Sequence, residues 1–280
     1  MIPKRILAST ALSALALSLA AGVGLAGRGI TIKGSDTMVI LGQRWAETYM
    51  NATPGAVIQV TGGGSGTGIA ALINGTTDVC QSSRPMKDDE KKKLRDRFQT
   101  TGVEIPVAKD GLAIYVHDSS PIQELSIPQL REIYTGAVTN WKQVGGPDAR
   151  IVLYSRENNS GTYVYFKDHV LLGRDYSAAC QTLPGTAAVV NAVARDPNGI
   201  GYGGAAYGKG VREIAVRKDA GSPAVRPSPA TVRDGSYPIT RFLYFYTRNR
   251  PSGDVKKFID WVLSPDGQSI VTKVGYFPVK

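Results

Sequence analysis

The chain has 280 residues, of which 42% are hydrophobic and 20% charged, with 32 Gly and 16 Pro. This composition excludes disordered, collagenous and coiled-coil classes, and the length allows two domains or one large one, each with its own core. A formal net charge of +10 draws anions without choosing among phosphate, nucleic acid and acidic lipid, and two Cys with two His argue against a Cys-rich metal site or zinc catalysis.

Lys4 and Arg5 precede an apolar stretch over residues 6–21 that ends in small residues at Gly22, Gly24 and Ala26. This is the layout of a secretory signal peptide, assigned to residues 1–27. No later run approaches the roughly 20 apolar residues of a membrane span, and no Cys follows the apolar region as a lipid anchor would need. The reading is a soluble exported protein, periplasmic or otherwise. Such a compartment permits a bridge between Cys80 and Cys180, but the two are expected in different domains, which argues against it.

Residues 30–33 form a short β-like run, and Leu41, Trp45 and Tyr49 then recur at helical spacing. Residues 56–60 read as strand, 69–73 as helix, 78–81 as strand, 88–98 as a charged helix and 103–107 as strand. The β-α-β-α order, with apolar runs that do not alternate strictly, argues for an α/β fold with a parallel sheet covered by helices. A second such block begins near 111–117, continues through a helix at 127–134 and a strand at 151–154, and extends to about Val216. Ser160 is placed to cap a helix over 162–172, and Thr186 to cap one ending before Pro197, with Asn198-Gly199 as the turn. Residues 220–230 read as a loop and 241–247 as the strongest strand. Val255, Phe258, Ile259 and Val262 mark an amphipathic helix, and Ser264-Pro265 starts another. The chain is read as leaving one domain, building a second and returning to the first.

Four segments place small, hydroxyl-bearing residues where a strand gives way to a helix: 34–37, 62–68, 82–85 and 155–162. Helix N-termini leave amides unpaired and carry about half a positive charge, so converging ends make an anion cradle, and Arg156 adds a guanidinium suited to bidentate phosphate contacts. Enzyme signatures are weaker. Ser65 lacks the final glycine of a nucleophile elbow, 63–68 lacks the lysine of a P-loop, and the G-x-G-x-x-G at 199–204 follows a helix and a turn rather than a strand. Arg241, Arg248 and Arg250 near Tyr244 and Tyr246 motivate nucleic-acid binding, but the charges are scattered and no recognition motif accompanies them.

The segments at 34–38, 64–68 and 82–84, the run at 110–116, Thr139-Asn140-Trp141 with Gly145-Gly146, and Arg156 four residues before Ser160-Gly161-Thr162 resemble the phosphate-binding proteins of ABC importers. Gly199-Ile200-Gly201-Tyr202 and Tyr237-Pro238 extend the resemblance, in order, over nearly the whole chain after the leader. It implies a two-lobed type 2 periplasmic-binding-protein fold, each lobe a helix-covered, mainly parallel sheet, joined by two crossovers. Lobe I is expected over 28–112 plus 238–280 and lobe II over 113–237. The implied partners are inorganic phosphate and a membrane permease that docks on the closed form of a monomer, with no cofactor, metal, catalytic residue or nucleic acid. The alternative is a secreted phosphoesterase or another oxyanion-binding protein or sensor. Carried over motif by motif, the phosphate contacts would be Ser35, Asp36, Thr37, Ser65, Gly66, Ser83 and Arg84 on one lobe and Arg156, Ser160, Gly161 and Thr162 on the other, with Arg84 read alternatively as a partner for acids on the next helix. Some members carry an aspartate where this chain has Ser83, to accept a hydrogen bond from protonated phosphate; the departure places proton-based discrimination in question. Asp36 reads either as that acceptor or as the N-cap of a helix over 37–50, and Glu157 either as a carboxylate that orients Arg156 or, by default, as a solvated one.

Overall fold

The computed structural model describes residues 29–279, so the leader assigned to 1–27 lies outside the described residues. The first stretch runs β1 (Ile30–Gly34), a 3-10 turn (Asp36–Met38), α1 (Val39–Ala52), β2 (Ile58–Thr61), α2 (Ser65–Asn74), β3 (Val79–Ser82) and α3 (Asp88–Phe98). β1 pairs in parallel with both β2 and β3, as the alternation of strand and helix requires. α3 buries only Leu94 and turns its charges outward, with Lys92 to Asp96 and Lys93 to Asp89 as exposed pairs.

The middle of the chain continues with β4 (Val103–Val116), β5 (Glu124–Ser126), α4 (Ile127–Thr135), β6 (Val152–Arg156), α5 (Gly161–His169), β7 (Gln181–Leu183), α6 (Gly185–Val193), β8 (Gly199–Gly204) and β9 (Arg212–Arg217). It closes with α7 (Pro229–Arg233), β10 (Thr240–Thr247), α8 (Gly253–Val262) and α9 (Pro265–Val274). The α/β class holds. One curled ten-stranded sheet has the order β2-β1-β3-β10-β4-β8-β6-β7, with β9 joining β4 to β5. β8-β6-β7 and β5-β9 are parallel like β2-β1-β3. Every antiparallel pairing between two of these strands involves β4 or β10, the two strands that carry the chain between the parallel groups.

β4 corrects the sequence reading, which separates 103–107 from 111–117. They form one strand of 14 residues. Pro106 and Gly111 look like breakers, yet each sits where the ladder tolerates it. Pro106 borders a register shift in β10 between Leu243 and Tyr244, and Gly111 is the last residue paired to β10 before Leu112 takes up β8. A Cβ at Gly111 would stand 2.7 Å from Pro227 Cβ, so the strand needs glycine there.

Three further boundaries differ. α5 stops at His169 rather than at 172, and Leu172 takes a left-handed φ of 53°. α6 begins at Gly185 with Pro184 before it, so Thr186 sits inside the first turn instead of capping it. The glycine-rich 199–204 stretch is itself the buried strand β8: a Cβ at Gly201 would approach Val189 to 2.7 Å and Val193 to 2.8 Å. Glycine there lets α6 lie close on the sheet.

Two large apolar cores flank the crossover strands. One packs Ile32, Leu41, Trp45, Phe245, Phe258 and Val271 between the first strands, α1, α8 and α9. The other packs Leu112, Ile133, Tyr134, Phe166, Ile200 and Ile214 among β4, α4, α5, β8 and β9, with Phe166 stacked on Tyr202 at 4.1 Å and Tyr134 edge-on to both. The expected stripe of α8 is buried at Phe258, Ile259 and Val262, and Ser264 caps α9 by accepting from Gly267 N at 3.4 Å. Cys80, fully buried, and Cys180, partly buried, are both free thiols. No helix among the described residues is long and apolar enough to cross a membrane, and no described cluster of three His, Cys, Asp or Glu could hold a metal ion.

Candidate anion-binding cleft

Three strand-to-helix connections of the first core meet through serines. Gly34 ends β1 at a φ of 145° where a Cβ would fall 2.1 Å from Gln81 O, so the chain turns hard against β3, and Ser35 N donates to Gln81 O at 2.8 Å. Ser35 Oγ donates to Ser83 Oγ at 2.9 Å, Ser83 N donates to Ser65 Oγ at 3.0 Å, and the Ser65 and Ser83 hydroxyls lie 3.3 Å apart. All three serines are buried.

The N-terminus of α5 faces this cluster directly. Ser160 Oγ accepts from Thr162 N and Tyr163 N at 3.2 and 3.4 Å, which commits its lone pairs to the helix and leaves its proton for a partner outside. A Cβ on Gly161 would stand 2.3 Å from Ser65 Oγ and 2.7 Å from Ser83 Oγ. Thr162 Oγ1 lies 2.8 Å from Thr37 Oγ1. The loop after β6 is tied to the glycine run as well: Gly66 N donates to Asn159 O at 2.9 Å, and Asn159 Nδ2 donates to Gly63 O at 3.1 Å. The Gly66 amide is therefore engaged with protein.

Arg156, at the end of β6, is 1% exposed. Its guanidinium donates to Thr186 Oγ1 at 2.7 Å and to Asp36 Oδ2 at 2.8 Å, while its Nε is buried without a partner. Asp36 Oδ1 accepts from Gly63 N at 2.7 Å. Asp36 thus neither caps its own turn, which shows no side-chain cap bond, nor stands free as an acceptor; it bridges the glycine run and the guanidinium. Glu157 is exposed, so Asp36 and Thr186 orient Arg156 in its place. Burial pulls the Arg156 pKa below its usual value and the Asp36 charge opposes the shift; a guanidinium remains charged through such a change.

Arg84 goes elsewhere. Its guanidinium makes a fork to Glu90 at 2.6 and 2.8 Å and donates to Pro85 O at 2.9 Å, with no bond to the serine cluster. The guanidinium that does join the cleft is Arg241, read from sequence as part of a scattered basic stripe. It donates to Asp110 Oδ2 through Nε and a terminal nitrogen at 3.0 and 2.8 Å, to Ser83 O at 3.1 Å and to Thr162 Oγ1 at 3.0 Å. Arg248, from the same stripe, is engaged with Thr77 O at 2.8 Å. The sequence held one signal for Arg241: it shares strand parity with Leu243 and Phe245, the buried face of β10. Asp110, in the 110–116 run, carries no local signal of this pairing, and Thr186, which reads as a helix cap, instead accepts from Arg156.

Arg156 with Asp36 and Arg241 with Asp110 sum to zero charge. What remains for an anion is a set of donors: the Ser160 hydroxyl, the one hydroxyl proton that each of the Ser65–Ser83 and Thr37–Thr162 pairs does not spend on itself, the Arg156 Nε, and the amides and positive dipole ends of α2 and α5.

Residues 19–266 match the family model described as a PBP superfamily domain. The phosphate-binding protein PstS of Pseudomonas aeruginosa is 35% identical over 263 residues, covering 88% of this chain and 81% of that protein. Its counterpart from Bacillus subtilis is 34% identical over 251 residues, 89% and 80% of the two chains. A substrate-binding protein from Clostridium perfringens, solved with bound phosphate, matches with a TM-score of 0.81 at 31% identity over 90% of this chain and all 100% of its own. Fold, converging helix ends and these relatives agree, and the chain belongs to the PstS family of phosphate-binding proteins within the PBP superfamily.

Proposed function

We propose that this protein is exported, captures inorganic phosphate in the cleft between two lobes and delivers it to the membrane permease of an ABC importer. The lobes are 28–112 with 238–280, and 113–237; the change of partner along β4 after Gly111 supports a boundary there. The observation that carries the reading is Arg156: a side chain 1% exposed retains a buried N–H with no partner, beside the opposed N-termini of α2 and α5. A buried donor left unpaired costs roughly 1–3 kcal/mol, and a phosphate oxygen would satisfy it.

Capture proceeds by hinge closure. Thr37, Ser65 and Ser83 from one side, with Ser35 holding Ser83 by its hydroxyl, and Arg156, Ser160, Gly161 and Thr162 from the other replace the anion's water shell, and the bound anion shifts the population toward the closed form. Asp36 acts through Arg156, holding it in register. No bond in phosphate is made or broken. Calorimetric titration of the mature protein with inorganic phosphate is expected to give one-to-one binding, micromolar or tighter, with no release of product from a generic phosphomonoester. Turnover of the ester, or no heat with phosphate, would refute the reading.

A further inference from the structure

We propose that Arg241 is a positioning residue for phosphate: it sets the proton direction of the Thr37–Thr162 hydroxyl pair so that one O–H faces the anion. The inference rests on the phosphate reading above. Arg241 is held from several directions. Asp110, fully buried, takes two of its N–H bonds, Ser83 O takes a third at 3.1 Å, and the Tyr165 ring lies 5.4 Å beneath its Cζ. Tyr165 is itself fixed by its hydroxyl donating to Thr240 O at 2.7 Å. The remaining bond, 3.0 Å long, runs to Thr162 Oγ1.

A guanidinium has donors and no acceptor, so Thr162 Oγ1 must accept from it. Thr162 Oγ1 and Thr37 Oγ1 are 2.8 Å apart, so one of their two hydroxyl protons lies between them. The second proton cannot turn back toward β10, because Arg241 offers it no lone pair. It therefore leaves the pair on the cleft side, from Thr162 or from Thr37, where a phosphate oxygen can take it. Arg241 need not touch the anion to do this. It also joins both walls: Ser83 belongs to the serine cluster beside the first core, and Thr162 to the α5 terminus of the second. The orientation is completed only when the walls meet.

The test is a double-mutant cycle read by titration with inorganic phosphate. One change is Thr162→Val; the other is Arg241→Gln together with Asp110→Asn, which avoids leaving a buried carboxylate alone. Each is expected to weaken binding about tenfold or more, and the combination to be no more than about threefold worse than the weaker-binding parent, because both remove the same donor. Thr162→Ser is expected to bind within about threefold of the unaltered protein. Should the paired change fail to fold, Arg241→Lys serves, since one ammonium cannot span both Asp110 and Thr162; it is expected to weaken binding in the Thr162 protein and to add nothing once Thr162→Val is present. Losses that multiply in either cycle overturn the positioning role and leave the phosphate reading intact. Absence of phosphate binding by the unaltered protein overturns both.

Discussion

Arg84 and Arg156 are both buried beside serines, and they differ in how far their partners lie along the chain. Arg84 pairs with Glu90 on the helix that follows it, a contact made six residues along the chain and indifferent to how the cores are arranged. Arg156 pairs with Asp36, 120 residues away across the cleft, and with Thr186 on a third element. The first guanidinium has its fork filled by a carboxylate at hand. Both keep a buried Nε without a partner, so the difference lies in the terminal nitrogens: the second guanidinium is held by single bonds from two sides, at the place where the helix ends converge. Under the proposed function, a buried arginine suits a ligand when its terminal nitrogens are divided between partners on both sides of a cleft rather than closed on one neighbouring carboxylate.

The comparison can be broken most directly at Arg156. Arg156→Ala is expected to cost about 2–5 kcal/mol of phosphate binding, as truncating one partner of a buried charge pair does; affinity near that of the unaltered protein in titration would remove it from the site. Gly161→Ala comes next. Its Cβ would enter the Ser65 and Ser83 hydroxyls, and overpacking of this kind costs about 1–3 kcal/mol. That cost should register as weaker phosphate binding with little change in the melting temperature of the phosphate-free protein, because only the closed form is crowded. Asp36→Asn should then lower affinity by about 1–3 kcal/mol, the range for a buried donor losing its charged acceptor, and the drop should shrink when Arg156 is already Ala. Smallest of all, Arg84→Ala should change phosphate affinity by less than about 0.5 kcal/mol while lowering the melting temperature, since Glu90 loses its partner. If Arg84→Ala instead weakens phosphate binding as much as Arg156→Ala, proximity to Ser83 matters more than pairing and the contrast is lost.

Local signals were legible in the sequence, and long-range pairings were not. The charged helix at 88–98 and the stripe of α8 follow from spacing alone, and the segments at 34–37, 62–68 and 155–162 do converge, because glycine and hydroxyl residues ahead of a helix announce its open end. The separate strands expected at 103–107 and 111–117 are one strand because sheet partners outvote Pro106 and Gly111. Thr186 reads as a cap until Gly185 takes over the turn and releases its hydroxyl to Arg156. Arg241 and Asp110 are 131 residues apart, and no local pattern joins them; only the parity of β10 marks an arginine on an apolar face.

The cancellation of charge among Arg156, Asp36, Arg241 and Asp110 bears on how the protein should respond to ionic strength. Mobile ions screen fields that reach through water and hardly enter a buried site. The encounter with a dianion, drawn by the chain's excess of basic over acidic residues, should therefore slow as salt is added. Release, governed by oriented hydroxyls and amides inside the closed cleft, should keep nearly the same rate.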